Sequence, residues 1–386
     1  MDIKNLSKQS EKYTIDIRRD IHQNPEPSWK EFRTTELIER ELKSFGIETK
    51  RLKRTGIIGI LKGIKPGKTL ALRADIDALS IKENTELPFR SNNEYMHACG
   101  HDCHTAMLLS AAKILSKIKN QFNGTIKFIF QPAEETCVGA KVIIEEDNVL
   151  EGVDAIFGMH IWGNLEYGKF NIEPGARMAS ADTFKIRIKG TASHGSTPHL
   201  GVDSIVAASA VVMNLQSIVS RNINPIEPVV ITVGTIKGGD RFNIIANEVV
   251  MEGTTRAFSQ EVRKVIEKKM REVVENTAQT YGAEGTLEYE YCPAPLINDP
   301  KLTDTALKSV EKLYGEDSLI PMDKLTISED FTYYMDKVPG IFVFLGGGNK
   351  KLGIYANHND RFIIDESALS RGTALYVQFA ADFLNS

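Results

Sequence analysis

Along the chain, short β-branched and aromatic runs alternate with segments whose apolar residues recur every three to four positions. Residues 69–73 (TLALR), 124–130 (GTIKFIF), 155–160 (AIFGMH) and 340–345 (GIFVFL) are near-continuous apolar runs of strand length, as expected of strands buried on both faces. Helical periodicity covers 33–45, 102–118 and 302–314. This alternation predicts an α/β domain whose largely parallel central sheet carries helices on both faces. The rhythm changes in the middle of the chain. Residues 183–189 (TFKIRIK) alternate with period two, a helix is expected over about 202–220, and strands follow over 229–236 and 248–257. A charged helix over about 260–281 and a strand near 286–292 end the series. That order, βαββαβ, is the ferredoxin-like split unit. We therefore expect residues 181–293 to be a domain inserted into a larger one made of residues 1–180 and 294–386.

The composition adds limits. With 386 residues, 42% hydrophobic and 25% charged, and a net charge of −4, the chain is balanced like a globular protein with more than one core. No basic stripe is present to meet a nucleic acid. The polar start MDIKNLSKQSEKY lacks an apolar signal region, and no apolar run approaches the roughly 18–20 residues of a membrane span. A cytoplasmic location without membrane or nucleic-acid partners is expected. Four cysteines in this length make no disulfide framework, and in a reducing compartment a Cys/His cluster points to metal binding or catalysis.

Residues 96–104, MHACGHDCH, gather five of the chain's twelve histidines and cysteines. Cys99 and His101 reach one ion only from a turn, which Gly100 permits. Asp102 reads as the N-cap of the helix that follows. A structural zinc site would want four Cys/His ligands at short paired spacings, and a redox pair a C-x-x-C; neither pattern is present. After the run GTIKFIF comes QPAEET, where the adjacent Glu134 and Glu135 cannot aim at one atom. One would ligate a metal while the other handles the proton of a water; a solvated acidic turn is the plainer alternative. His160 closes AIFGMH, and His358 lies in YANHNDRF beyond the glycines at 346–348. Each alone would read as a hydrogen-bonded core histidine, but the carboxyl edge of an open α/β sheet is where sites form. One thiolate, three imidazoles and a carboxylate, with a carboxylate to spare, are too many for one tetrahedral zinc. They suit two divalent ions about 3.5–4 Å apart.

Taken in order, HACGHDCH, FQPAEE, GMH, SHGSTPHLGVD, SEDF at 328–331 and ANHND resemble the dinuclear metallopeptidase family. That family includes N-acyl-amino-acid amidohydrolases (aminoacylases and hippurate hydrolases), hydrolases of indole-acetyl amino acids and carboxypeptidase G-type enzymes. The likeness runs from RRDIHQNPE at 18–26 to NHNDRF. It implies that Cys99, His101, Glu135, His160 and His358 bind two divalent ions, zinc or manganese, and that Glu134 is the general acid/base. It also implies a catalytic α/β domain interrupted by a smaller lid domain through which two chains dimerise. His194 resembles a histidine that reaches a neighbouring active site across the dimer to steady the oxyanion. Asn243 and Arg256 resemble the pair that binds the substrate's α-carboxylate. Ser80 and Pro27 depart from the pattern without touching a ligand, and Asp75 and Asp77 are expected to orient a histidine N–H. The activity implied is hydrolysis of the amide bond of N-acyl-L-amino acids, with a dipeptidase or carboxypeptidase acting on free-carboxylate peptides as the alternative. A non-catalytic metal-binding protein would have no use for Glu134, and a zinc-dependent oxidoreductase would want a G-x-G-x-x-G after a strand.

Overall fold

The strands expected from continuous apolar runs form the centre of a seven-stranded sheet. In the computed structural model, which describes residues 2–348, 352 and 355–386, Thr69–Asp75 lies parallel to Thr125–Gln131 on one side and to Ala155–Glu166 on the other. Gly340–Gly348 runs parallel to Ala155–Glu166. The outer strands are antiparallel: Ile57–Lys62 and Glu48–Arg51 extend one edge and Phe170–Asn171 the other. Parallel strands deliver their carboxyl ends to one edge, and there Asp75 stands in register with Gln131. Helix His101–Lys117 is apolar on nearly every side and is buried accordingly, packed on Thr69–Asp75 and against Leu369–Leu384. Phe157, fully buried on the next strand, meets the rings of Tyr376 at 5.3 Å and Phe379 at 4.6 Å. The short helices Gly139–Asp147 and Thr332–Met335 pack on each other and on the strands Thr125–Gln131 and Gly340–Gly348 respectively.

Internal contacts divide the chain into two units. One is Met1–Gly175 with Ile297–Asp323 and Asp330–Ser386; the other is Ala176–Leu296 with Lys324–Glu329. The second unit has four antiparallel strands in the order Glu284–Glu290, Asp182–Lys189, Glu248–Ala257 and Val229–Gly238. The period-two run becomes its central strand, with Phe184, Ile186 and Ile188 buried while Lys185 and Arg187 face out. Helices Ser204–Ser217 and Gln260–Thr280 pack together and close the core over those residues. Gly253 sits at a bulge where an added Cβ would lie 2.1 Å from the Thr232 carbonyl oxygen, so only glycine fits.

The first of these helices corrects one expectation. A π turn extends it to Asn222, and the 19 residues from Ser204, with mean hydropathy 1.2, are long and apolar enough to cross a membrane by length and composition. Ala207, Val211 and Leu215 nevertheless face the unit's own core, while Ile205, Val206 and Met213 are exposed.

Burial decides what a core change costs. Phe157→Ala should destabilise the larger unit by about 3–5 kcal/mol. Phe242→Ser, at a fully exposed position, should change stability by no more than about 0.5 kcal/mol. Denaturant unfolding of both variants beside the parent chain measures the difference.

Candidate metal centre

Two tight loops set the site. Gly100 turns the chain at φ 89°, and a Cβ there would lie 2.5 Å from Ile161 Cγ2, so both backbone and space call for glycine. The helix then starts at once with His101, making Gly100 the N-cap. Asp102 is therefore not the cap. Its buried carboxylate instead accepts from Arg18 Nε at 2.7 Å and lies 2.8 Å from His22 Nδ1. In the second loop the strand Thr125–Gln131 gives way to Ala133 at φ 56°, a single 3₁₀ turn holding Glu134 and Glu135, and Cys137 at φ 58°.

These loops, the strand Ala155–Glu166 and the segment around His358 bring five expected ligands together. Cys99 Sγ lies 3.4 Å from His160 Nε2 and 3.2 Å from His358 Nε2. Glu135 Oε1 lies 3.4 Å from His358 Nε2 and 3.9 Å from His101 Nε2. Their donor atoms fall into two triads that share the thiol: Cys99, His101 and His160, and Cys99, Glu135 and His358. Glu134 stands alongside, its Oε2 3.8 Å from His101 Nε2.

The histidines are oriented from behind. His101 Nδ1 lies 2.9 Å from the Asp77 carbonyl oxygen and 3.2 Å from Asp77 Oδ1. Both are acceptors, so Nδ1 carries a proton and Nε2 is the nitrogen turned toward the cluster. His160 Nδ1 meets the Ile161 carbonyl at 2.7 Å, with the same consequence. His104 has both nitrogens engaged. Its Nδ1 is 2.6 Å from Asp75 Oδ1, and its Nε2 accepts from the Ile161 amide at 2.8 Å, so it braces the site without a lone pair to offer an ion.

The electrostatics are unbalanced at the centre. Burial, and after it the neighbouring Glu135, push the Cys99 thiol up to about 12. Burial raises Glu135 to about 7 against the pull of His101, with Asp77 and Asp75 adding to the rise. Burial, with His104 beside it, holds His160 well below the ordinary imidazole range. His101 Nε2 and Glu135 Oε1 are buried without a hydrogen-bond partner. A divalent cation answers each of these demands. It deprotonates the thiol, keeps the carboxylate ionised and takes the inward lone pairs, so the residues fit such an ion.

The remaining expected site residues belong to the second unit. His194 is bridged to Ile244, and the Gly195 amide donates to the Asn243 carbonyl at 2.8 Å, so His194 and Asn243 share one pair of loops. The Ser196 amide donates to His194 Nδ1 at 3.1 Å, which puts the proton of the neutral ring on Nε2. Arg256 is not with them. It faces Val230 at one end of the strand Glu248–Ala257, whereas Asn243 lies in the connection before the other end, where Val249 faces Gly238. From Val249 to Arg256 an extended strand covers roughly 23 Å. One chain's second unit does not bring Asn243 and Arg256 onto a common carboxylate.

Two residues that the sequence did not single out touch the loops of the site. Asn357 Nδ2 donates to the Cys99 carbonyl at 3.2 Å, and buried Glu31 accepts from the Ala133 amide at 2.9 Å. Asn357 has a signal, since it stands next to His358 in ANHND. Glu31 is one carboxylate before a helix and has none.

Residues 71–382 match the profile of Peptidase family M20/M25/M40. The chain is 39% identical to thermostable carboxypeptidase 2 of Saccharolobus solfataricus, over 99% of this chain and 98% of that one. It is also 39% identical to N-acetyl-L-cysteine deacetylase of Bacillus subtilis, over 97% of this chain and 89% of that one. The structure is similar to that of a dinuclear metal-binding peptidase of the M20 family from Bacillus subtilis, with a TM-score of 0.88, 35% identity, and 98% and 99% of the two chains covered. With a family match over most of its length and relatives that overlap it almost end to end, the chain belongs to peptidase family M20/M25/M40.

Proposed function

We propose that the chain is a metal-dependent amidohydrolase that cleaves N-acyl-L-amino acids into a free amino acid and a carboxylate. The observation that carries this is the meeting of Cys99, His101, Glu135, His160 and His358 in two donor triads, with Glu134 beside them. A relative named for deacetylating N-acetyl-L-cysteine supports the substrate class. One named a carboxypeptidase supports the alternative of a short peptide with a free carboxylate.

Cys99, His101 and His160 would hold one divalent ion and Cys99, Glu135 and His358 the other, zinc or manganese suiting this mixed donor set and supplying Lewis-acid polarisation of the scissile carbonyl. Glu134 takes the proton of the attacking water and returns it to the departing amine. Asp77 and the Ile161 carbonyl keep the Nδ1 protons of His101 and His160 in place, so each ring presents Nε2 to the ion it would hold. His194 offers its Nε2–H to the developing oxyanion, a contribution of about 3–4 kcal/mol for such donors. The guanidinium of Arg256, with Asn243, receives the α-carboxylate and so selects amino-acid amides.

Because one chain keeps Asn243 and Arg256 apart, we assign His194 and Asn243 to the active site of a second copy, in a homodimer formed through residues 181–293, which also serve as the lid. Among the described residues the strand Val229–Gly238 is the last of its sheet, with no strand paired on its outer side. Exposed Ile205, Val206, Met213 and Ile236 lie on that strand and the helix packed against it. Four free cysteines, two of them buried, suit a reducing cytoplasm.

A panel of N-acetyl, N-benzoyl and dipeptide substrates tests the activity, with Glu134→Ala as the blank. That variant should lose about 10²–10⁴-fold in kcat while its bound metal, by elemental analysis, is unchanged; full activity would remove Glu134 from the role of base. The shared thiol makes a second forecast. Cys99→Ala should lose metal from both triads on dialysis, whereas His358→Ala should lose about one ion per chain. Thirdly, Met213→Glu combined with Ile236→Lys should give monomers by light scattering with little turnover, and a fully active monomer would end the assignment of His194 across the dimer.

A further inference from the structure

One carboxylate outside the metal centre holds two strained backbone positions at once. Glu31 is fully buried, and its Oε1 accepts from the Trp29 amide at 3.0 Å and from the Ala133 amide at 2.9 Å. Its Oε2 accepts from Thr55 Oγ1 at 2.5 Å. Trp29 at φ 65° and Ala133 at φ 56° are both left-handed, and neither is glycine. A Cβ disfavours that region, most of all on a bulky residue, so such positions persist only where their surroundings over-determine them.

Ala133 is the residue that swings the strand Thr125–Gln131 into the turn bearing Glu134 and Glu135. Returning it to an ordinary backbone region would redirect both carboxylates together. The same segment grips the site a second time. Ser28 Oγ donates to Asp77 Oδ2 at 2.6 Å, and the Glu135 amide donates to that same oxygen at 3.1 Å. The Ala78 amide donates to the Glu26 carbonyl at 2.9 Å, fastening the segment to the loop that carries Asp77. Residues 26–31 thus clamp the turn of the acid/base and the residue that orients His101.

We propose that Glu31 is a positioning residue for the hydrolytic reaction, locking Ala133 left-handed so that Glu134 and Glu135 point where the chemistry needs them. This rests on the reading of Glu134 as the acid/base. Reach, and not charge, is what matters. Burial, followed by Asp77, pushes the Glu31 carboxyl up to about 7, and an oxygen of either protonation state accepts from two amides. A glutamine presents the same carbonyl oxygen and donates its amide to the Thr55 hydroxyl. An aspartate keeps the charge and withdraws it by one methylene.

Glu31→Gln should keep kcat within about three-fold, and Glu31→Asp should lose about 10- to 100-fold in kcat with KM little changed, the scale expected when a reacting group is displaced by about an ångström. Ala133→Gly placed in the Glu31→Asp chain should recover part of the loss, because glycine takes positive φ freely; support of core packing alone would show no such rescue. Amide hydrogen exchange of the peptide spanning 131–138 gives a readout apart from turnover, faster in Glu31→Asp and unchanged in Glu31→Gln. Parent-like kcat and exchange in Glu31→Asp, or a Glu31→Gln protein that folds and loses activity as the aspartate does, would overturn the proposal. Glu134→Ala run in parallel separates the two readings. If it stays active the base is wrong, and the exchange data still decide whether Glu31 holds the turn.

Discussion

The rest of this structure depends on one unsolved charge problem at the carboxyl edge of the larger sheet. A thiol, three imidazoles and two carboxylates are drawn into a space where burial alone would keep thiol and acid protonated and strip the proton from a histidine. Around this centre the polypeptide does balance its charges. Burial works against the Asp75 anion, yet His101, His104 and Arg73 hold it well below the usual carboxylate range. Arg73 in turn reaches Asp75 at 2.8 Å and Asp330 at 3.1 Å, and Gln131 donates to Asp330. Asp75, Arg73 and Asp330 find protein partners, while the inner donors face one another. That division between a compensated rim and an uncompensated middle is the physical signature of a site made for a cation.

Holding such a middle together demands rigid supports, and the fold supplies them in layers. The helix that begins at His101 is sunk in the core for most of its length, so its first turn cannot drift. Arg18 and Asp102, both buried, tie that turn to the helix Glu11–Gln23 and add Glu366 through Arg18 Nη1 at 3.1 Å. A buried pair of this kind adds little net stability, but removing one partner strands the other charge, which makes the contact specific. On the opposite loop the constraint is conformational instead: left-handed Ala133 and Cys137 bracket the two glutamates, and a Cβ on Gly139 would lie 2.1 Å from the Pro132 carbonyl oxygen.

How legible this was follows from the kind of signal each part leaves. Strands buried on both faces read directly as apolar runs, and 69–73 became Thr69–Asp75. The run at 155–160 covers only part of its strand, because pairing with Gly340–Gly348 carries Ala155–Glu166 past His160 through IWGNLE, where burial alternates with period two instead of running continuously apolar. Glu48–Arg51, an edge strand of sequence ETKR, left no trace at all. The cluster donors were legible because Cys and His are scarce and stood at strand and helix ends. Asp102 was misread since an acid before an apolar helix looks like a cap, and its true partner lies 84 positions away. Glu31, one of 51 acidic residues, acts through a contact 102 positions distant that no local pattern announces. The pairing of Asn243 with Arg256 rests on the resemblance alone, and only the strand register shows how far apart one chain sets them. A ten-residue strand, Glu248–Ala257, occupies most of that interval and carries the two ends apart.

That last separation bears on the stretch whose composition would pass for a membrane span. Lipid must surround a spanning helix, or the helix must share its flanks with other spans, and every face has to tolerate hydrocarbon. Here one face is already committed: Ala207, Val211 and Leu215 pack on the unit's own sheet. The outward face mixes Ile205, Val206 and Met213 with exposed Ser209, Asn214 and Gln216. A half-committed helix beside a strand with an open edge fits a protein surface that can extend the sheet and cover the apolar side chains, not a bilayer. A second copy offers both at once by symmetry, since an isologous interface sets the same edge and the same helix face against themselves. Under the proposed dimer Asn243 and Arg256 would come from different chains, so their separation within one chain would not matter. In the homodimer proposed above, one partner would both cover that surface and complete the substrate clamp.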